Sequence, residues 1–269
     1  MKIGISTSTF FNNLPTEKMF DLLRTMRVDT TEVCLNTFSE YDKSYVDHVA
    51  SFRGGMNVTS VAPLSTQFEP QLFSPNMRVR ADAEALFKKV CYACFAFGAK
   101  YYTFCGPINL DGQKDFEYTH LAQRFSQLAD IAASYGVTLS LKNMRWSYAA
   151  TPEFFKRMLA LCPRLCATLD LYNAESAGYE LNEFFDACPP PRINLIEVAD
   201  TVKGEWCLPG RGKYNFERLF ADIDRRKIFA PVLIAARNDC YSDYLQVRES
   251  YERLEAIAAS QKYGRTVQR

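Results

Sequence analysis

The chain has 269 residues, 48% of them hydrophobic and 23% charged, with 32 Lys and Arg against 31 Asp and Glu for a formal net charge of +1. Acids and bases interleave, leaving no basic face for nucleic acid or an anionic membrane, and no apolar run reaches the roughly 20 residues that cross a bilayer. The opening MKIGISTSTFF moves straight into strand-like alternation without a signal-peptide apolar core, so a cytoplasmic protein is expected. The nine cysteines, an odd number, are expected as reduced thiols packed mostly in the core.

In chain order, short β-rich runs alternate with amphipathic stretches. Strands are predicted near Lys2–Thr7, Thr30–Leu35, Asn57–Ala62, Lys100–Cys105, Val137–Asn143, Cys166–Leu171, Arg192–Val198 and Pro231–Ala236. Each precedes a helical candidate, and such alternation closes a parallel sheet into a single (β/α)8 TIM barrel spanning residues 1–269. Helical faces follow from the spacing of Met19, Leu23 and Met26, of Leu121, Phe125, Leu128 and Ala132, and of Tyr244, Val247, Tyr251, Leu254 and Ile257. Thr151 before Pro152 is an N-cap with proline at the first helical position, and Gly98 and Gly136 stand where helices stop. Cys91 and Cys94 form a CxxC inside a helical pattern with no second pair to complete a zinc site, so core packing is expected. Cys188-Pro-Pro-Pro191 is a stiff turn, and residues 260–269 are expected as an exposed tail.

Several segments carry a resemblance when taken together and in order. They are MKIGISTSTF at the start, FSPNMRVR at 73–80, FGAK at 97–100, LKNM at 141–144, LDLYN at 169–173, EVAD at 197–200 and LPGRGKYNF at 208–216. The chain resembles the xylose-isomerase-like TIM-barrel family, which includes sugar phosphate isomerases and epimerases and endonuclease IV. The resemblance implies a divalent-metal site at the C-terminal ends of the strands, yet most of its ligands are replaced. Lys142 stands for a metal-binding glutamate, Asn173 and Glu197 for histidines, Trp206 for a loop histidine and Ala235 for a second glutamate. The histidines of multi-zinc members fall near Ala62 or Pro63 and at Cys105. Asp170 and Asp200 are retained. His48 and His120, the only histidines, lie in helix-like stretches. No metal cofactor is therefore expected; Asp170, Glu197 and Asp200 offer oxygen atoms suited to Mg or Mn, against which the Lys142 ammonium competes.

The expected catalytic group is Lys142 with Asp170 and Glu197. A lysine there is able to polarise a carbonyl, hold an anion, act as a base if burial lowers its pKa, or simply neutralise inherited acids. Asn143, Asn173, Asp200, Lys203, Trp206, Arg211 and Trp146 are expected to bind substrate, with Tyr172, Lys213, Phe10 and Phe11 nearby. Arg211 between Gly210 and Gly212, with Lys203 and Lys213, would form an anion-binding loop; the aromatics would stack on a sugar face or plug the mouth. The expected partner is a small sugar or sugar acid, with a homo-oligomer or a paralogous barrel subunit left open. Three functions stay open: a sugar or sugar-phosphate isomerase/epimerase acting on a hydroxylated carbonyl compound, an inactive carbohydrate-binding barrel or partner subunit, and a Lys-dependent lyase or dehydratase.

Overall fold

A computed structural model describes residues 1–64, 66–109 and 117–266, with side chains through 261. Its eight barrel strands are β1 (Ile3–Ser6), β2 (Thr30–Leu35), β3 (Asn57–Pro63), β4 (Tyr101–Phe104), β5 (Thr138–Lys142), β6 (Cys166–Asp170), β7 (Ile193–Val198) and, after a hairpin, β10 (Val232–Ile234). Each starts and ends within two residues of its predicted bounds. All barrel pairings are parallel, and β1 closes the ring between β10 and β2. The alternation of β and α units thus forms the single (β/α)8 barrel that the sequence predicts.

The outer layer is α1 (Thr16–Thr25), α2 (Lys43–Ser51), α3 (Met77–Phe97), α4 (Tyr118–Ala133), α5 (Pro152–Leu161), α6 (Leu171–Ser176), α7 (Leu181–Ala187), α8 (Phe216–Arg225) and α9 (Tyr244–Thr266). Thr151 caps α5 by accepting the Phe154 N–H at 3.2 Å, with Pro152 at the first helical position. Cys91 and Cys94 are free and buried in α3. Two features differ from the sequence reading. Helix α9 runs into the predicted tail as far as Thr266. An unforeseen antiparallel hairpin, β8 (Asp200–Val202) and β9 (Glu205–Cys207), rises from the end of β7. Its turn residues Lys203 and Gly204 both have positive φ, +55° and +85°, as a tight two-residue hairpin turn requires.

Irregularities in two ladders shape the interior. Between β6 and β7 the register slips, so that Ala167 faces Ile193 and Thr168 faces Leu195, leaving Asn194 unopposed. Strict alternation would put Asn194 and Glu197 on opposite faces. The bulge lets Asn194 bond Ser140 inside the barrel while Glu197 reaches the lysine above it. A similar slip between β2 and β3 leaves Thr59 unopposed and sets Glu32 beside Ser60.

Candidate functional site

The register of β5, β6 and β7 brings three of the predicted residues together. Lys142 is the last residue of β5, Asp170 the last of β6, and Asp170 faces Glu197 of β7 directly. The Lys142 ammonium bridges Asp170 Oδ2 at 3.0 Å and Glu197 Oε2, to which it also donates a hydrogen bond. Water hardly reaches the trio: the side chains of Lys142, Asp170 and Glu197 are 17%, 6% and 2% exposed.

A fourth residue, Glu32 of β2, lies beneath and was not foreseen. Its carboxylate accepts hydroxyl hydrogens from Ser6 at 3.0 Å, Ser60 at 2.7 Å and Thr103 at 2.6 Å. It also shares a hydrogen bond with Glu197. Such a cage of donors satisfies a buried carboxylate without a cation. The one available signal was a lone acid in TTEVCL, a strand buried throughout.

Charge is distributed unevenly. Burial works against the ammonium of Lys142, but Glu197, Asp170 and Glu32 together outweigh it and hold the lysine well above its ordinary range. The surrounding acids thus favour the charged ammonium, opposite to the lowered pKa that a base role would need. Burial pushes Glu197 well above the usual carboxylate range, and its neighbours Glu32 and Asp170 add to this against the pull of Lys142. Burial also opposes charge on Asp170, but Lys142 and the N–H of Asn173 overcome it and lower its pKa. Of the trio, burial favours the neutral form of Glu197, whereas Lys142 favours the ionised form of Asp170.

The remaining expected residues divide by what already engages them. Asn143 is 1% exposed, donates to the Asp170 carbonyl at 2.9 Å and accepts the Asp170 N–H at 2.6 Å. It fixes the β5 and β6 ends together. Asn173 donates its backbone N–H at 2.8 Å to Oδ1 of Asp170, which caps the N-terminus of α6, while its side-chain oxygen accepts the Arg145 N–H. The Asp200 carboxylate accepts the backbone N–H groups of Thr201, Gly210, Gly212 and Tyr214 at 2.8 to 3.1 Å. It moors the 208–214 loop, and a Cβ on Gly212 would collide with it.

Arg211 turns toward α9 and pairs with Glu249 at 3.4 Å, and Lys203 is exposed at the hairpin tip. Lys213 contributes a backbone N–H to Thr201. Trp206, half-buried on the hairpin, stacks on Tyr172 with ring centroids 3.4 Å apart and planes at 27°. Trp146 is half-buried after β5, and its carbonyl receives the Asn109 N–H. Phe10 is 0% exposed and packs edge-on against Tyr244, which makes it core rather than a stacking surface, while Phe11 is half-buried. His48 and His120 sit in α2 and α4. Among the described residues no three His, Cys, Asp or Glu side chains are grouped to hold a metal ion.

The closed parallel barrel, with charged residues at the C-terminal ends of adjacent strands, defines a (β/α)8 protein. The xylose isomerase-like TIM barrel model matches residues 20–257, and the chain belongs to that family. No curated protein matches its sequence. Among solved structures it is similar to an L-ribulose 3-epimerase, with a TM-score of 0.78 at 12% identity covering 99% of this chain and 98% of that one. A D-tagatose 3-epimerase-like protein gives 0.77 at 17% identity over 97% and 99% of the two chains. The IOLI protein, solved with a bound zinc atom, gives 0.73 at 15% identity over 97% of each chain. At these identities the shared property is the fold. No helix among the described residues is long and apolar enough to cross a membrane.

Proposed function

We propose that this protein is a sugar isomerase/epimerase-like barrel that takes a small hydroxylated carbonyl compound, a sugar or sugar acid, at the C-terminal mouth over Lys142, Asp170 and Glu197. The observation that carries the reading is the lysine bridge itself: a buried ammonium between two carboxylates at the ends of adjacent barrel strands, where barrels of this class place their chemistry. A carbonyl oxygen docked beside Lys142 is polarised by a charge that low dielectric strengthens. Glu197 offers a proton to that oxygen, and Asp170 is the ionised carboxylate on the other side. Trp206 on Tyr172 presents an aromatic surface suited to the apolar face of a sugar.

The residues do not fit the divalent cation that the family resemblance implies. The Lys142 ammonium lies between Asp170 and Glu197, and Asp200 is spent on backbone N–H groups; no step is routed through a metal. A carbohydrate-binding barrel without turnover is the second reading, favoured by the way Asp170, Asn143 and Asn173 satisfy one another at the site. The persistent charge on Lys142 disfavours the lysine-dependent lyase, which needs a neutral amine.

The test is a calorimetric screen of ketoses, aldoses and sugar acids against the wild type and Lys142→Met, with NMR of the bound sugar to detect turnover. Saturable binding that weakens at least about tenfold, or about 1.4 kcal/mol, in the variant is the expected result. Equal affinity in the two proteins would remove Lys142 from the site.

A further inference from the structure

We infer that the Lys142 ammonium is a tethered replacement for a divalent cation, so that this barrel holds the carboxylates of its mouth together, and meets its ligand, without a metal. As to the ligand, the inference rests on the reading of the mouth given above; as to the cation, it stands on the geometry alone. The ammonium touches one oxygen of Asp170 and one of Glu197 from adjacent strands, the place a cation shared by both carboxylates would take. Neither acid is open to solvent, with side chains 6% and 2% exposed, so without a positive charge between them they would repel one another across a medium that screens poorly.

Everything around the lysine suits a single charge rather than two. A divalent ion such as Mg or Ca asks for six or more oxygen ligands, or for imidazoles if it is zinc. An ammonium asks for about three acceptors. Asp170 gives its second oxygen to the Asn173 N–H, and Asp200 gives its carboxylate to four backbone N–H groups. Glu32 is satisfied by the hydroxyls of Ser6, Ser60 and Thr103. The histidines His48 and His120 belong to the outer helices α2 and α4. One positive charge thus faces the three acids Asp170, Glu197 and Glu32.

The experiment follows the melting temperature of the full chain titrated with manganese, cobalt or zinc chloride alone and, separately, with ethylammonium. Wild type and Lys142→Met are expected to show no saturable rise and no change on adding chelator. Lys142→Ala, whose shortened side chain vacates the space between the acids, is expected to melt lower and to be restored saturably by ethylammonium or manganese, and this restoration should disappear in Lys142→Ala/Asp170→Asn. Saturable divalent-ion binding by the wild type that Asp170→Asn removes would overturn the inference. So would a folded Lys142→Ala indifferent to both kinds of cation. If Lys142→Ala fails to fold, calorimetric titration of the wild type with the same ions decides alone: Asp170-dependent binding overturns the inference and its absence supports it. No sugar is present in these titrations, so failure of the ligand reading leaves their outcome untouched.

Discussion

Glu197 and Glu69 are buried to the same degree, 1% and 0% exposed, yet the molecule accommodates them in opposite ways. Glu197 lies beside an ammonium and two other carboxylates. Glu69, after β3, pairs with no cation among the described residues; the Tyr102 hydroxyl meets it at 2.8 Å and the Cys105 N–H at 2.7 Å, with the Gly106 N–H also reaching it. Burial pushes the Glu69 carboxyl up to about 8 despite these donors. Hydrogen bonds alone are enough to bury a carboxyl that keeps its proton, whereas holding several acids in one place demands a fixed positive charge.

Removing that charge should have the largest effect. Lys142→Met is expected to lose about 3 to 5 kcal/mol in urea unfolding at neutral pH, the range for breaking one partner out of a buried ion pair. Adding Glu197→Gln should recover part of the loss. An unchanged midpoint in Lys142→Met would erase the distinction between the two glutamates. Asp200 extends the comparison, being an acid anchored only by backbone N–H groups. Asp200→Ala leaves those donors unpaired and should cost about 2 to 3 kcal/mol, with amide exchange at Gly210 and Gly212 accelerating ahead of the barrel strands. Uniform exchange across the chain would count against the mooring role.

A pH series sharpens the contrast at Glu69. Its folded pKa of about 8 lies above the ordinary 4.5, so the native state holds a proton that the unfolded chain releases. The associated stability is fully present below the lower value and is lost as pH rises through the upper one, at about 1.4 kcal/mol per pH unit in between. Glu69→Gln should remove that share of the slope between about pH 5 and pH 8; an unaltered slope would show that the proton sits elsewhere. Smallest of all, Glu197→Gln puts a neutral amide where burial favours the neutral carboxyl and should change stability by less than about 1 kcal/mol, measured by the same unfolding curves.

Periodicity exposed the barrel because each strand has its own apolar run and each helix its own face, properties carried by neighbouring residues. The Thr151 cap and the convergence of Lys142, Asp170 and Glu197 were readable because Pro152 marks a helix start and because all three charged residues fall at or next to the C-terminal ends of consecutive strands. The bulge at Asn194, the cage around Glu32 and the role of Asp200 were not. Each depends on partners far along the chain: Ser140 for Asn194, Thr103 for Glu32, and Gly210 and Gly212 for Asp200. Lys203 illustrates the limit well. It was expected on an anion-binding loop, and with Gly204 it makes a turn that carries it out to the hairpin tip.

The stack of Trp206 on Tyr172 has an optical consequence. The chain contains two tryptophans, and both Trp146 and Trp206 stand on segments that follow barrel strands at the mouth, one after β5 and one on the hairpin beyond β7. Intrinsic emission therefore originates next to the lysine-bearing rim and not in the helical shell. A molecule settling over that rim would alter the quenching of Trp206 by its tyrosine neighbour, giving an occupancy signal that needs no added dye.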